Sequence, residues 1–192
     1  QLAEKLGAEG EDFLSWTVDG LRAWAEHAYD AESNLYRPMW ADGTDLTGYA
    51  IPRTGYFGPE GRVFEQEEPS PLLLWSYALG HRLSDDPLLW DTARAMARGH
   101  DLGDIGTAPG EDVDPDLETD CANPSALFAL LEIMRASDHE AYRALAERVG
   151  DNIIDERFDP DLRVNVTSIE PLALLALEAA LQGRAEDVPE AR

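Results

Sequence analysis

The residues best suited to chemistry lie between Leu35 and Pro69. Within this stretch, Tyr36, Trp40, Tyr49, Tyr56, Phe57 and Phe64 alternate with glycines and prolines. Arg37, Arg53 and Arg62 stand among them. Flat aromatic faces stack on pyranose rings, and guanidinium groups fork onto carboxylates. That combination suits a sugar-acid site. The stretch has no helical period and is too long for a plain linker. Disordered segments are poor in aromatics, so an ordered loop is expected. An Ω-type surface loop held by its own rings would read the same way.

The background makes these arginines conspicuous. Thirty-nine Asp and Glu stand against 15 Lys and Arg, a formal charge of −24. Lys5 is the sole lysine. Such a surface is a poor partner for nucleic acid or anionic membrane. A highly soluble or salt-adapted exterior explains it most simply. Cys121 is the single cysteine, which excludes an internal disulfide framework or a CxxC metal motif. The chain opens on Gln1 with QLAEKLGAEG, which reads as the end of a helix, so the chain is expected to be part of a longer protein. Nothing in it fixes a compartment, periplasmic or cytoplasmic.

The elements that must position the loop are helices. Glu11–Tyr29 carries an apolar stripe flanked by Trp16 and Trp24, which predicts a helix buried on more than one side. Leu35–Met39 reads as a short strand, and residues 41–44 as a turn. Pro71–Leu83, Pro124–Met134 and Glu170–Leu181 are apolar all round. Pro87–Arg98 and Glu140–Asn152 are amphipathic, with Asp91, Arg94 and Arg98 on a wet face. Ser70, Asn123 and Ser168 are the expected caps. Long connections precede the apolar helices, and short ones lead to the amphipathic helices. This predicts an all-α fold, an α/α toroid built as an incomplete (α/α)-barrel of helical hairpins. The apolar helices form its inner row and should be the more buried set. The irregular stretches 35–69, 99–123 and 157–167, or short β loops within them, should converge at one end. Residues 1–192 are expected to form a single domain, part of a larger barrel, completed by the rest of its ring or by an oligomer.

Specific phrases carry a family likeness. ADGTDLTGYAIPRTGYFGPEG, followed by PLLLWSYALGHRLSDDPLLWDTARAMARGHDLGDIG, resembles the C-terminal half of polysaccharide lyase family 2, the bacterial pectate lyases. The likeness covers roughly residues 11–106; beyond them only the helical pattern agrees. It implies an (α/α)-barrel enzyme that opens homogalacturonan by β-elimination. It also implies a divalent transition metal of the Mn type, held by two histidines and a glutamate, and an arginine base. His27, His81, His100 and His139 do not reproduce that ligand set, so no metal ligand or catalytic residue is assigned and both are expected outside this segment. His100, in a loop, is the best of the four. Carried over as substrate contacts are Arg53 in IPRTGYFG, with Trp40 and Tyr56 as stacking platforms, and Tyr49 and Asp45 beside them. Asx turns at Asp42 and Asp45 are the competing role. Asp101 and Asp104 would cap turns or hold a cation, and the acidic run Glu111–Asp120 reads as a solvated loop. The expected partner is a uronic acid polysaccharide or oligosaccharide. Two readings stand beside the lyase. One is another toroid glycan hydrolase, with two facing carboxylates from Glu67, Asp45 and Asp101. The other is a non-catalytic helical-repeat binding module.

Overall fold

The computed structural model describes residues 2–157 and 169–183. The expected cap Ser168 and nearly all of the third irregular stretch lie outside the described residues. The chain divides into two compact units, Gln1–Pro69 and Ser70–Arg192.

In the first unit a short helix α1 (Leu2–Leu6) and a 3-10 turn (Gly7–Gly10) lead into α2 (Glu11–His27). Strands β1 (Tyr29–Asp30) and β2 (Leu35–Tyr36) follow as an antiparallel pair, with Tyr29 opposite Tyr36. The expectation that α2 is buried on more than one side fails. None of its residues is buried, and Phe13, Trp16 and Trp24 are among the exposed large side chains. The small core of this unit is instead Ala28, Tyr29, Tyr36, Leu46 and Ile51.

The second unit is helical hairpins. Helix α3 (Pro71–Ser84) starts at Ser70, whose Oγ accepts from the Leu72 amide. It ends on Asp85 in the left-handed conformation. Helix α4 (Pro87–Gly99) starts at Asp86, whose carboxylate accepts from the Leu88 amide. Strands β3 (Gly103–Asp104) and β4 (Asp114–Pro115) pair within the next connection. Helix α5 (Pro124–Ala136) is capped by Asn123, which accepts from the Ser125 and Ala126 amides. Each of these three starts places a capping oxygen before proline, which has no N–H to satisfy. Helix α6 (Glu140–Arg157) runs past Asn152, and α7 (Ile169–Leu181) ends the described part. Helices α3, α5 and α7 adjoin in series; α4 packs on α3, and α6 on α5 and α7. The toroid-like row of all-round apolar helices is therefore present.

Burial does not follow the inner and outer assignment. Helix α4 buries Leu89, Trp90, Thr92, Ala93, Met96 and Ala97, as much as α3 does, while α7 buries only Ala173, Ala176 and Leu177. The reason is the connection after α4. Residues 100–123 lie along α4 and α6 and cover a second side of both. Trp90 Nε1 donates to Gly106 O at 2.9 Å. Tyr142 of α6 donates its hydroxyl hydrogen to Ile105 O at 2.7 Å and accepts from the Gly110 amide at 2.9 Å. Arg148 and Asn152 donate to Thr119 O, and Asn152 also to Cys121 O. Leu102 and Ile105 are fully buried beneath these contacts.

Two glycines make this connection possible. Gly103 has φ +75°, and a Cβ there would collide with the backbone of Asp114, Pro115 and Asp116 on the paired strand. Gly106 has φ +98° and lies against the carbonyl of Glu111. Both positions need positive φ and close backbone approach, which a side chain forbids.

Candidate functional site

The stretch 35–69 folds as two backbone-paired arms in the first unit. The first arm is closed by Met39 opposite Asp45, with Leu46 N donating to Pro38 O and Trp40 N to Thr44 O, both at 2.9 Å. Its turn is set by short carboxylates. Asp42 Oδ1 accepts from the Thr44 amide at 3.0 Å, and Asp45 Oδ1 from the Thr47 amide at 2.7 Å. Those threonine bonds hold both carboxyls below the usual carboxylate range. The Asx-turn role expected for both aspartates is therefore observed.

The second arm pairs Ala50 with Val63 and Gly55 with Gly58. Its base joins Phe64 N to Tyr49 O at 3.0 Å. Glu67 and Tyr36 then exchange two backbone hydrogen bonds and return the chain to β2. Along this arm the rings form a continuous series. Tyr49 stacks on Phe64 at 6.5 Å, Phe64 meets Phe57 at 6.4 Å, and Phe57 meets Tyr56 edge-on at 5.3 Å. Tyr56 is 98 % exposed and Phe57 is also open to solvent. Exposed aromatics on a turn gain little from packing and leave their ring faces open.

The arginines differ in how they are used. Arg62 donates to Phe57 O at 2.8 Å and faces Glu67 at 3.5 Å. Arg37 donates to His27 O at 3.0 Å and contributes to the charge environment of Asp30 and Asp45. Arg53 makes no hydrogen bond or ion pair among the described residues, and it lies exposed near Tyr56 at the arm's tip. The pairing of Arg53 with Asp42, Asp45 or Glu67 that would make it merely structural is absent.

Trp40 stands apart from the ring series. It lines a groove of about 660 Å3 between the C-terminal end of α2 and the first arm, with Trp24, His27, Met39 and Asp42. Trp24 is 52 % and Trp40 51 % exposed. Trp24 is seated edge-on against Tyr36 at 5.5 Å. The sequence pattern treats Trp24 and His27 as parts of a buried helix, so their place in the groove was not legible. The available signal was an indole lying outside the apolar stripe. Thus Arg53, Tyr56 and Tyr49 share the second arm, while Trp40 and Asp45 belong to the first.

The other singled-out groups are structural. Asp104 accepts from Arg94 Nε at 2.6 Å, Arg94 Nη2 at 2.7 Å, Arg98 Nη2 at 2.6 Å and the Gly106 amide at 2.9 Å. Arg94 and Arg98 are therefore not a free wet face. Asp101 sits in left-handed conformation just after α4. His81 donates Nδ1–H to Asp86 O at 2.9 Å beside Trp90, and His139 Nδ1 accepts from the Ala141 amide at 3.3 Å. His100 forms the C-terminal cap of α4. Burial pushes the Cys121 thiol up, away from a reactive thiolate. Among the described residues no three His, Cys, Asp or Glu side chains come together as a metal site. The described residues thus do not fit the metal set that the family resemblance implies. No helix among them is long and apolar enough to cross a membrane.

An exposed aromatic series, an arginine without a partner among the described residues and a tryptophan-walled groove thus all belong to the first unit, and the second unit is built of helical hairpins. The chain belongs to the periplasmic pectate lyase family, whose sequence model matches residues 1–192. It is similar to the pectate disaccharide-lyase of Dickeya dadantii (strain 3937), with 28 % identity over 189 residues. That alignment covers 93 % of this chain and 32 % of the relative, so the chain spans about a third of the relative's length.

Proposed function

We propose that this chain is the substrate-contacting part of a lyase that opens polygalacturonate-type polymers by β-elimination. The observation that carries the reading is Arg53: a guanidinium with no partner among the described residues, near an exposed ring, in a chain of charge −24. The similarity to a pectate disaccharide-lyase supports the substrate class. A uronate carboxylate is a bidentate acceptor for that fork. Tyr56 and Tyr49 offer ring faces along the same arm, and Trp40 and Asp45 contribute from the first arm. On the unit being opened, a cation at the carboxylate stabilises charge that develops when the C5 proton leaves. On a neighbouring unit the same contact holds and orients the polymer. The catalytic base and the ligands of a divalent metal of the Mn type would then lie outside this chain. The family's description as periplasmic supports action on oligosaccharides in that compartment.

A hydrolase would need two carboxylates about 5–10 Å apart across the sugar. Asp45 is tied to the Thr47 amide and Glu67 faces Arg62, so neither stands ready for that role. The test uses the intact protein on polygalacturonate, followed by the ultraviolet absorbance of the 4,5-unsaturated uronide. A charge-assisted fork is worth roughly 1.5–3 kcal/mol, so Arg53→Ala should lower kcat/KM about ten- to a hundredfold. Arg53→Lys should restore only part, because a point charge lacks the fork. The melting temperature should stay unchanged, since no bond is lost. Normal turnover in Arg53→Ala removes the residue from the site.

A further inference from the structure

The groove between α2 and the first arm differs in charge from the arm bearing Arg53. Its lining includes the carboxylate of Asp42 and neither arginine nor lysine. The Thr44 bond keeps the Asp42 carboxyl below its ordinary range, so it stays ionised. Arg37 is committed to the His27 carbonyl and faces the charges of Asp30 and Asp45. A uronate brought here would meet a like charge with no arginine or lysine in the lining. Two half-exposed indoles nevertheless offer broad apolar faces, and the volume accommodates a sugar ring. The geometry points to a subsite for an uncharged pyranose, distinct from the Arg53 arm that takes the free uronate. The inference rests on the lyase reading for its polymer context. The ligand chemistry is a neutral ring, either a galacturonosyl unit capped as its methyl ester or a neutral hexose. Residues of the two kinds, charged and uncharged, would be sorted between groove and arm along one chain.

The test is tryptophan-emission titration of the intact protein carrying Arg53→Ala, so that the arginine arm does not contribute. Chelator is present to stop turnover. Histidine side chains gain positive charge below neutrality, so the titrations are run at about pH 8. The ligands are trigalacturonate, its trimethyl ester and galactotriose. The ester or galactotriose should bind at least about tenfold more tightly than the free acid, a difference of about 1.4 kcal/mol. Binding of the ester alone assigns the capped unit, and binding of galactotriose assigns the hexose. Trp24→Ala should weaken the neutral ligand about tenfold. Because Trp24 also packs on Tyr36, Ala23→Glu serves as a second variant, filling the groove from an exposed helical position. Asp42→Asn keeps the oxygen that accepts from Thr44 and removes the charge, so it should narrow the gap between acid and ester about threefold. Equal binding of acid and ester overturns the inference, as does neutral-ligand binding that Ala23→Glu leaves intact. Failure of the unmodified protein to release unsaturated uronide would sink the lyase reading instead, and leave these affinities just as decisive.

Discussion

Asp104→Ala tests whether the connection after α4 is held by charge. The carboxylate accepts three charge-assisted bonds, two from Arg94 and one from Arg98, and a fourth from the Gly106 amide. The Asp104 and Arg94 side chains are about a quarter exposed, at 26 % and 23 %. A fully exposed pair contributes about 0–1 kcal/mol, and breaking a buried pair costs about 3–5 kcal/mol. The intermediate exposure places the loss at about 2–3 kcal/mol. For a chain of this size that is a fall of about 5–10 °C in melting temperature. Arg98, half exposed, should cost no more than about 1 kcal/mol on its own. Asp104→Asn keeps the acceptor for Gly106 and should fall between the two. The pH dependence follows from the same bonds. Arg94 first, then Arg98 and the Gly106 amide, hold the Asp104 carboxyl well below its ordinary value of 3.8. The group binds protons less readily when folded, so its contribution is present above that ordinary value. It is lost as the pH falls through the folded value. Calorimetry across the acid range reads both effects, and amide exchange at Gly106 reads the local release. A melt shifted by less than about 2 °C, or equal shifts for Asp104→Ala and Arg98→Ala, would refute the assignment.

Other perturbations bear on the helical row and its glycines. Glu132, 4 % exposed, bridges Arg82 of α3 at 2.6 Å and Arg135 at 2.8 Å. Glu132→Ala should cost about 3–5 kcal/mol, seen as a shifted denaturant midpoint, while Glu132→Gln should retain part of the bridge. Gly103→Ala combines positive φ with a collision against the opposing strand, so it should destabilise by about 2–5 kcal/mol, read as a lower melting temperature.

The legible part of the fold came from local chemistry. Ser70-Pro71, Asp86-Pro87 and Asn123-Pro124 mark helix starts that caps and proline define within a few residues. The apolar and amphipathic alternation gave the hairpins. What escaped was long-range. Leu102 and Ile105 sit among Asp and Gly in GHDLGDIG, a composition that reads as solvated, yet both are fully buried. Their burial depends on Trp90 and Tyr142, which donate to Gly106 O and Ile105 O from helices before and after the loop. Only the folded path reveals those pairings. The reverse error occurred at α2, where a periodic stripe and two tryptophans implied burial but Trp16 and Trp24 remain exposed. Periodicity reports which face is apolar and not whether anything covers it. At the candidate site, residue types identified the arms, whereas the groove needed the β1–β2 pairing, which folds the chain back so that Met39–Gly43 lie beside Ala23 and Trp24.

The two long connections differ in composition and in how they use their polar groups: residues 35–69 carry six aromatics and three arginines, and residues 100–123 carry neither type. In residues 100–123 Leu102 and Ile105 are fully buried and Asp104 is taken up by helix arginines, while Leu117 and several carboxylates stay exposed. In residues 35–69 the backbone bridges and Asx turns fix the arms without consuming the rings or Arg53. Ordering those exposed groups costs side-chain entropy and returns little packing energy. A rigid turn that presents an unmatched guanidinium and open rings is therefore poor economy as scaffold and good preorganisation for a ligand. The same reasoning divides the site internally. On the proposed reading the cation would select a charged unit at one arm and Asp42 would disfavour it at the other, so the charge pattern of the polymer, as much as its shape, would set its register on this chain.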